Sequence, residues 1–267
     1  MHRTPFARLL ACFALFVIAC SQPSAADASA IDRIVNRGVL VLGTSGNMPS
    51  MSLVDANGRA TGFDVDLARV MADLMGVKLE VRVLPFTELL PALQTGQVDV
   101  VISNMTITAQ RNLRVAFVGP YLVSGKCIVT KNKALAAAEE SNDLNSPETR
   151  LAVLAGSTSE DFARELFPKA TLFGIDDYGK AAALVADDAA DGLLTDYPIC
   201  LSTLKSHPDA GFVSVFSLLT YEPIGIALPA GDAQFINWTE NFLDRMHGTK
   251  GIEELGKRWF GTTKLVR

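Results

Sequence analysis

The feature that most narrows the fold is a regular alternation of short apolar runs with amphipathic helices, met twice along the chain. Val39 to Leu42 reads as a strand. "GFDVDLARVMADLMG" then places Leu67, Val70, Met71 and Leu74 at i, i+3, i+4 and i+7, with Gly76 as the stop, which predicts an amphipathic helix. "KLEVRVL" sets Leu79, Val81 and Val83 against Glu80 and Arg82, a strand period. A helix capped at Thr87 is expected next, carrying Leu89, Leu90 and Leu93 to near Gly96, and after it a strand over residues 98–102. The pattern returns with "RLAVLAG" (strand), Glu160 to Phe167 (helix), "ATLFG" (strand), Tyr178 to Ala186 (helix) and "DGLLTD", a strand running into a helix near Leu201. Such alternation predicts an α/β fold with a largely parallel sheet covered on both faces. "AAAEESNDLNSPET" reads as a polar surface connection between the blocks. The last block, from "YEPIGIALPAG" to Phe260, is too small to stand alone and should pack back on the first unit.

With 267 residues, 49% hydrophobic and 20% charged, the chain is large enough for one big domain or two ordinary ones. A net charge of −5 and a pI near 5.3 provide no basic field for nucleic acid, so no nucleic-acid partner is expected. Residues 1–26 read as a secretory signal: Arg3 and Arg8, an apolar run from Leu9 to Ala19, then small and polar residues. Val17, Ile18, Ala19 and Cys20 look like a lipobox, which would cut before Cys20 and attach a lipid there. The alternative is ordinary cleavage after Ala26. No other stretch is long and apolar enough to span a membrane. The exported part keeps Cys127 and Cys200, as a bridge or as two buried thiols. His207 and His247 have no partner at ligand spacing, which leaves a metal site or a Ser/His/Asp triad without support. No cofactor is expected.

Ligands of open α/β sheets lie beyond the carboxyl ends of the strands. Ser103, Asn104, Thr106 and Arg111 fall there in "VDVVISNMTITAQR". Thr108 reads as an N-cap with Arg111 at the third helical position, where the helix dipole disfavours a cation, so Arg111 asks for an anion: a surface ion pair or a ligand. Ser157, Thr158 and Ser159 begin a helix in "AGSTSEDFA", either as simple caps or as an anion site. Asp196 ends the strand "GLLT" before Tyr197 and Pro198, as an N-cap or as a lone carboxylate. An arginine with hydroxyls in one block, and a helix start with a carboxylate in the other, would suit a zwitterion held between two lobes.

These residues resemble the bacterial extracytoplasmic solute-binding proteins that feed amino acids to ABC transporters. The likeness runs from about Ile31 to Gly261 and is most specific in "GTSGNMPSMSLVDANGRATGFDVDLA", "FTELLPALQTGQVDVVISNMTITAQR", "GSTSEDF" and "DGLLTDYP". It implies the type II periplasmic binding protein fold, two lobes each with a mixed, mostly parallel sheet flanked by helices. Lobe 1 would be residues 31–120 plus 225–267 and lobe 2 residues 121–224, with crossings near Pro120 to Gly125 and Leu218 to Ile224. It implies that Arg111 grips the ligand's α-carboxylate, helped by Asn104 and Ser157 to Ser159, and that Ser103, Thr106 and Asp196 hold the α-amino group. A monomer outside the cytoplasm and an ABC permease as partner follow from the same likeness, whereas a lipid anchor on Cys20 follows from the lipobox alone. Many relatives carry aromatic rings where Met48 and Met51 stand, and receptors for basic amino acids often carry an acid where Ser45 stands. Met48, Met51 and Phe86 are therefore expected to line a pocket for an uncharged amino acid. The same fold also hosts cyclohexadienyl dehydratases, which remove water from prephenate or arogenate, and Glu160 matches the position of their catalytic acid.

Overall fold

The computed structural model describes residues 29–137, 144–216 and 220–261. The signal segment, Cys20, and Leu218 and Leu219 of the expected second crossing lie outside the described residues.

The chain opens with α1 (Ala30–Arg37), capped by the Ser29 side chain and ended by Gly38 at φ 71°, in the left-handed region open to glycine. β1 (Val39–Thr44) follows, then a small three-stranded antiparallel ribbon of β2 (Asn47–Met48), β3 (Ser52–Val54) and β4 (Ala60–Thr61). α2 (Phe63–Met75) buries Leu67 and Met71 and stops at Gly76, as the apolar spacing predicts. β5 (Lys78–Val83) returns parallel to β1.

Two expectations are corrected in the next stretch. Thr87 does not cap a helix: residues Phe86–Glu88 form a 3-10 turn after Pro85, and α3 spans Leu89–Gln94. The strand expected over 98–102 narrows to β6 (Val100–Val101): the Asp99 N–H still donates to the Val41 carbonyl (2.9 Å), but the Val41 N–H is taken by the Asp99 carboxylate (2.7 Å), which also meets Arg37, so the regular ladder begins one residue later.

α4 (Ala109–Asn112) is capped by Thr108, whose hydroxyl accepts from the Arg111 N–H at 3.1 Å. β7 (Ala116–Ser124) and β8 (Lys126–Thr130) are separated by Gly125 alone, yet they belong to different sheets. α5 (Lys133–Ala136), β9 (Arg150–Leu154), α6 (Thr158–Leu166), β10 (Thr171–Ile175), α7 (Tyr178–Ala186), β11 (Gly192–Asp196), α8 (Tyr197–Ser206) and β12 (Val213–Phe216) complete the second half. β13 (Glu222–Leu228) brings the chain back to the first sheet, and α9 (Ala233–Gly248) and α10 (Gly251–Phe260) close it.

The first sheet has the order β5-β1-β6-β13-β7 and the second β10-β9-β11-β8-β12. Each is mixed: β1 runs parallel to β5 and β6, and β9 to β10 and β11, whereas β13, β8 and β12 are antiparallel additions. β7 and β13 pair side by side, Ser124 opposite Glu222, so the chain changes sheet at one place in space. Cys127 on β8 and Cys200 on α8 form a disulfide with Cα atoms 6.4 Å apart, which settles the choice left open by the sequence. Among the described residues no helix is long and apolar enough to cross a membrane.

Candidate ligand-binding site

The carboxyl ends of β1, β6, β9 and β11 face one another across a gap that inter-half hydrogen bonds draw shut. Asn104 Nδ2 donates to Asp196 Oδ2 (3.0 Å), Thr106 and Thr158 share a hydroxyl contact (3.3 Å), Arg111 donates to the Gly156 carbonyl (3.1 Å), and Ser202 donates to Ser50 (2.7 Å). At the rim Asn47 donates to the Asp176 carbonyl. Gly156 is required at this closure. Its φ is +71°, and a Cβ built there would lie 2.7 Å from the Thr87 methyl of the opposite half.

Between the halves the closed cleft leaves a cavity of about 10 Å³, room for about one water molecule. The first half lines it with Met48, Phe86, Asn104, Thr106 and Arg111, the second with Leu154, Ser157, Thr158, Tyr178 and Asp196. Five sequence-derived residues are not among the lining. Ser103 is fully buried, its Oγ accepting from the Ser45 N–H (3.0 Å) and meeting the Ser45 hydroxyl (3.2 Å). Ser45, occupied by that pair, does not reach the cavity. Ser159 is buried one residue further along α6, on another face of the helix, and Met51 packs in the core. Glu160 folds back on its own helix: its carboxylate accepts from the Gly156 N–H at 2.7 Å and pairs with Arg164 at 2.7 Å.

Arg111 is held in place by groups that do not neutralise it. Its Nη1 donates to the Thr106 carbonyl (2.8 Å), its Nη2 to the Gly156 carbonyl, and its guanidinium lies over the Phe86 ring, 5.6 Å from the centroid. Among the described residues no carboxylate stands within ion-pair distance, and further N–H donors of the five remain for an anion. Burial pulls its pKa below the ordinary value, against the fields of Asp161, Asp196 and Glu222. Phe86 is thus both a wall of the cavity and the support of the guanidinium.

Asn104 sits at φ 46°, and this backbone turn aims its N–H at Asp64 Oδ2 (2.7 Å). Asp64 is fully buried and also accepts from the Tyr121 hydroxyl on β7 at 2.7 Å. Burial outweighs these two donors and pushes its pKa up to about 7. The Asn104 Oδ1 is buried and has no protein partner. Such an acceptor is costly unless a donor meets it.

Asp196 stands at the N-cap position of α8 but makes no capping bond. Its second oxygen instead accepts from Lys126 Nζ at 2.7 Å. Lys126 also reaches Thr158 Oγ1 (2.7 Å) and lies 3.3 Å from Glu222 Oε2. Lys126 and Glu222 were not singled out from the sequence. A lysine inside the otherwise apolar strand "KCIVT" was the available sign, because a buried ammonium demands carboxylates. Ser157 caps α6 through the Glu160 N–H (3.3 Å) and still lines the cavity, so capping and lining coincide. Burial, and after it the field of Asp196, keeps the Tyr178 hydroxyl protonated far above the ordinary range. Among the described residues no group of three or more His, Cys, Asp or Glu is placed to hold a metal.

A cleft closed between two mixed sheets, with an unneutralised guanidinium on one side and a carboxylate on the other, is the arrangement of a two-lobed small-molecule binding protein. The family model for bacterial extracellular solute-binding proteins, family 3, matches residues 40–262, and the chain belongs to that family. Its fold is that of the type II periplasmic amino-acid-binding proteins. The chain is 36% identical to the ancestral amino acid-binding protein AncCDT-1, a precursor of cyclohexadienyl dehydratase; the match covers 87% of this chain and 100% of the other, with a TM-score of 0.80. A binding component of an ABC transporter from Wolinella succinogenes DSM 1740, complexed with lysine, is 37% identical over 85% of this chain and 98% of its own, at a TM-score of 0.80. The cyclohexadienyl dehydratase of Pseudomonas aeruginosa PAO1 is 30% identical over 200 residues, 75% of this chain and 74% of that enzyme.

Proposed function

We propose that the protein captures an amino acid with an uncharged side chain between two closing lobes and delivers it to an ABC permease. The lobes are residues 31–120 with 225–267, and residues 121–224, a division supported by the two sheets and by the paired strands β7 and β13. The observation that carries this reading is Arg111, which is oriented by two carbonyls and a ring, is not neutralised by any described carboxylate, and faces Asp196 of the other half. The ligand's α-carboxylate takes the guanidinium, with the first N–H groups of α6 beside it. The α-ammonium goes to Asp196 and Thr106, and the orphaned Asn104 Oδ1 gains a donor.

The side chain meets Met48, Phe86 and Leu154, an adaptable apolar wall. Among the described residues Asp196 is the sole carboxylate in the lining, so a cationic side chain finds no second partner there. Ser45, held by Ser103 behind the cavity, takes no part in this selection. The lipobox ending at Cys20 supports a lipid tether at the outer face of a membrane, and the mass of the mature N-terminus tests the lipid.

A lyase reading is favoured by the dehydratase relative. Against it, Glu160 lies outside the lining, and although burial alone would raise its pKa, the Gly156 N–H and Arg164 hold it below the ordinary carboxylate value. A general acid must hold a proton near neutrality. A thermal-shift screen against leucine, methionine, phenylalanine, cysteine, glutamine, glutamate, arginine, lysine and prephenate separates the readings, because a ligand of the native state raises its melting temperature. The largest shift should come from an uncharged amino acid. A largest shift with arginine, lysine or glutamate would refute the side-chain assignment, and phenylpyruvate formed from prephenate would establish the lyase.

A further inference from the structure

The charged groups around the cleft do not divide evenly between ligand and protein. Arg111 lacks a carboxylate partner, whereas Lys126 has two, Asp196 at 2.7 Å and Glu222 at 3.3 Å. Its Nζ also meets Thr158 Oγ1 at 2.7 Å, and that hydroxyl in turn donates to Glu222 Oε2 at 3.1 Å. All three charged side chains are at least nine-tenths buried. They come from three separate strands, β8, β11 and β13, and β13 reaches the cluster from the other sheet. Thr158 and Asp196 line the cavity, and Lys126 stands directly behind them.

We propose that Asp196, Glu222 and Thr158 form an ammonium-binding subsite of the cleft, which this chain fills with its own Lys126. The filled subsite restricts the ligand to molecules whose only ammonium is the α-amino group. The inference rests on the amino-acid reading given above and names what sets the ligand's charge.

The reasoning is a charge balance in a poorly solvated space. Arg111 and Lys126 supply two positive charges, and Asp196 and Glu222 two negative ones. A zwitterion adds its carboxylate beside Arg111 and its ammonium beside Asp196, and the balance holds. Lys126 then leans on Glu222, so Asp196 is shared between two ammonium groups and not overcharged. A ligand bringing a second ammonium would leave one positive charge unpaired, since Asp161, the other carboxylate acting on Arg111, lies on the solvent side. Without Lys126 the count reverses: two buried carboxylates would face one α-ammonium, and a second cation would be favoured.

Two variants test this. Lys126→Ala removes the stem from Cγ to Nζ, which n-propylammonium replaces atom for atom. The melting temperature of Lys126→Ala should rise with n-propylammonium beyond its rise with tetramethylammonium at the same ionic strength, since the latter has no N–H to donate. The wild type, whose subsite is filled, should show a smaller difference between the two. This readout needs no amino acid, so it stands apart from the functional reading. A preference in Lys126→Ala no larger than in the wild type would overturn the subsite.

Lys126→Met keeps an apolar stem for the fold and removes the charge. Calorimetry with lysine and with its neutral isostere 2-aminoheptanoate should show the affinity ratio moving about tenfold towards lysine in Lys126→Met, and returning in Lys126→Met/Glu222→Gln. A ratio unchanged from the wild type would refute the role in selectivity. Failure of the wild type to bind any amino acid would instead defeat the functional reading, with the n-propylammonium result deciding the subsite alone.

Discussion

Asp64 ties the folding of the first lobe to the shape of the cleft, and its substitution by asparagine gives a signed pH effect. Its carboxylate accepts from the Asn104 N–H and from the Tyr121 hydroxyl, both at 2.7 Å, in a fully buried place. Burial raises its pKa from 3.8 to about 7. In the unfolded chain Asp64 loses its proton near pH 4, while the folded protein keeps it up to about pH 7. Between these values the folded state binds more protons than the unfolded one, so this group's contribution is complete below about pH 4 and is lost as pH rises through about 7. A shift of about three pKa units, each worth 1.36 kcal/mol, amounts to about 4 kcal/mol across the window.

Asp64→Asn keeps the volume and cannot titrate. Its Oδ1 can still take the Asn104 N–H while the Tyr121 hydroxyl turns to accept from Nδ2. Urea unfolding of both proteins at a series of pH values isolates the effect, because the other titrations cancel in the difference. The stability of the wild type relative to Asp64→Asn should fall by about 4 kcal/mol from pH 4 to just above pH 7. A difference flat to within about 1 kcal/mol, or one that grows with pH, would refute the reasoning.

Gly156→Ala combines a left-handed φ of +71° with a Cβ 2.7 Å from the Thr87 methyl, so it should disfavour closure, weakening the best ligand about tenfold and reducing the compaction seen by small-angle scattering on ligand addition. Glu160→Gln should cost about 1 kcal/mol in urea unfolding, through the lost charge at the start of α6, and leave ligand affinity within about threefold; a large loss of affinity would place Glu160 in the site after all. The Cys127–Cys200 bridge spans a sequence separation of 73, for which chain-entropy reasoning gives about 4 kcal/mol. The Cys127→Ser/Cys200→Ser variant should lose stability of that order, and a loss below about 1 kcal/mol would contradict the estimate.

Much of the site was legible because apolar strands opened into polar clusters at their carboxyl ends. Asn104, Thr106 and Arg111 follow β6, Ser157 and Thr158 follow β9, and Asp196 ends β11, and all six reach the cavity. Residue type could not tell which hydroxyl points where. Ser103 and Ser159 are neighbours of lining residues, but Ser103 turns to Ser45 and Ser159 is buried elsewhere, since adjacent positions on a strand or helix face different ways. Lys126 and Glu222 escaped notice because their partnership depends on β13 returning beside β7, a long-range pairing with no local periodicity. At Phe86–Glu88 residue type misleads, because Thr87 is a good cap by type while Pro85 before it sets the entry to a 3-10 turn.

The central claim is that Arg111 receives the carboxylate of an amino acid bound between the lobes. Calorimetric titration of the wild type and of Arg111→Ala, each with the best amino acid and with its carboxamide, tests it most directly. In the wild type the carboxylate should be worth about 2 to 5 kcal/mol over the amide, since a desolvated charge pair is broken. In Arg111→Ala the acid and the amide should bind alike, both weakly, with the fold unchanged. An equal loss from acid to amide in the two proteins would contradict the account, because the carboxylate would then be held by something other than Arg111.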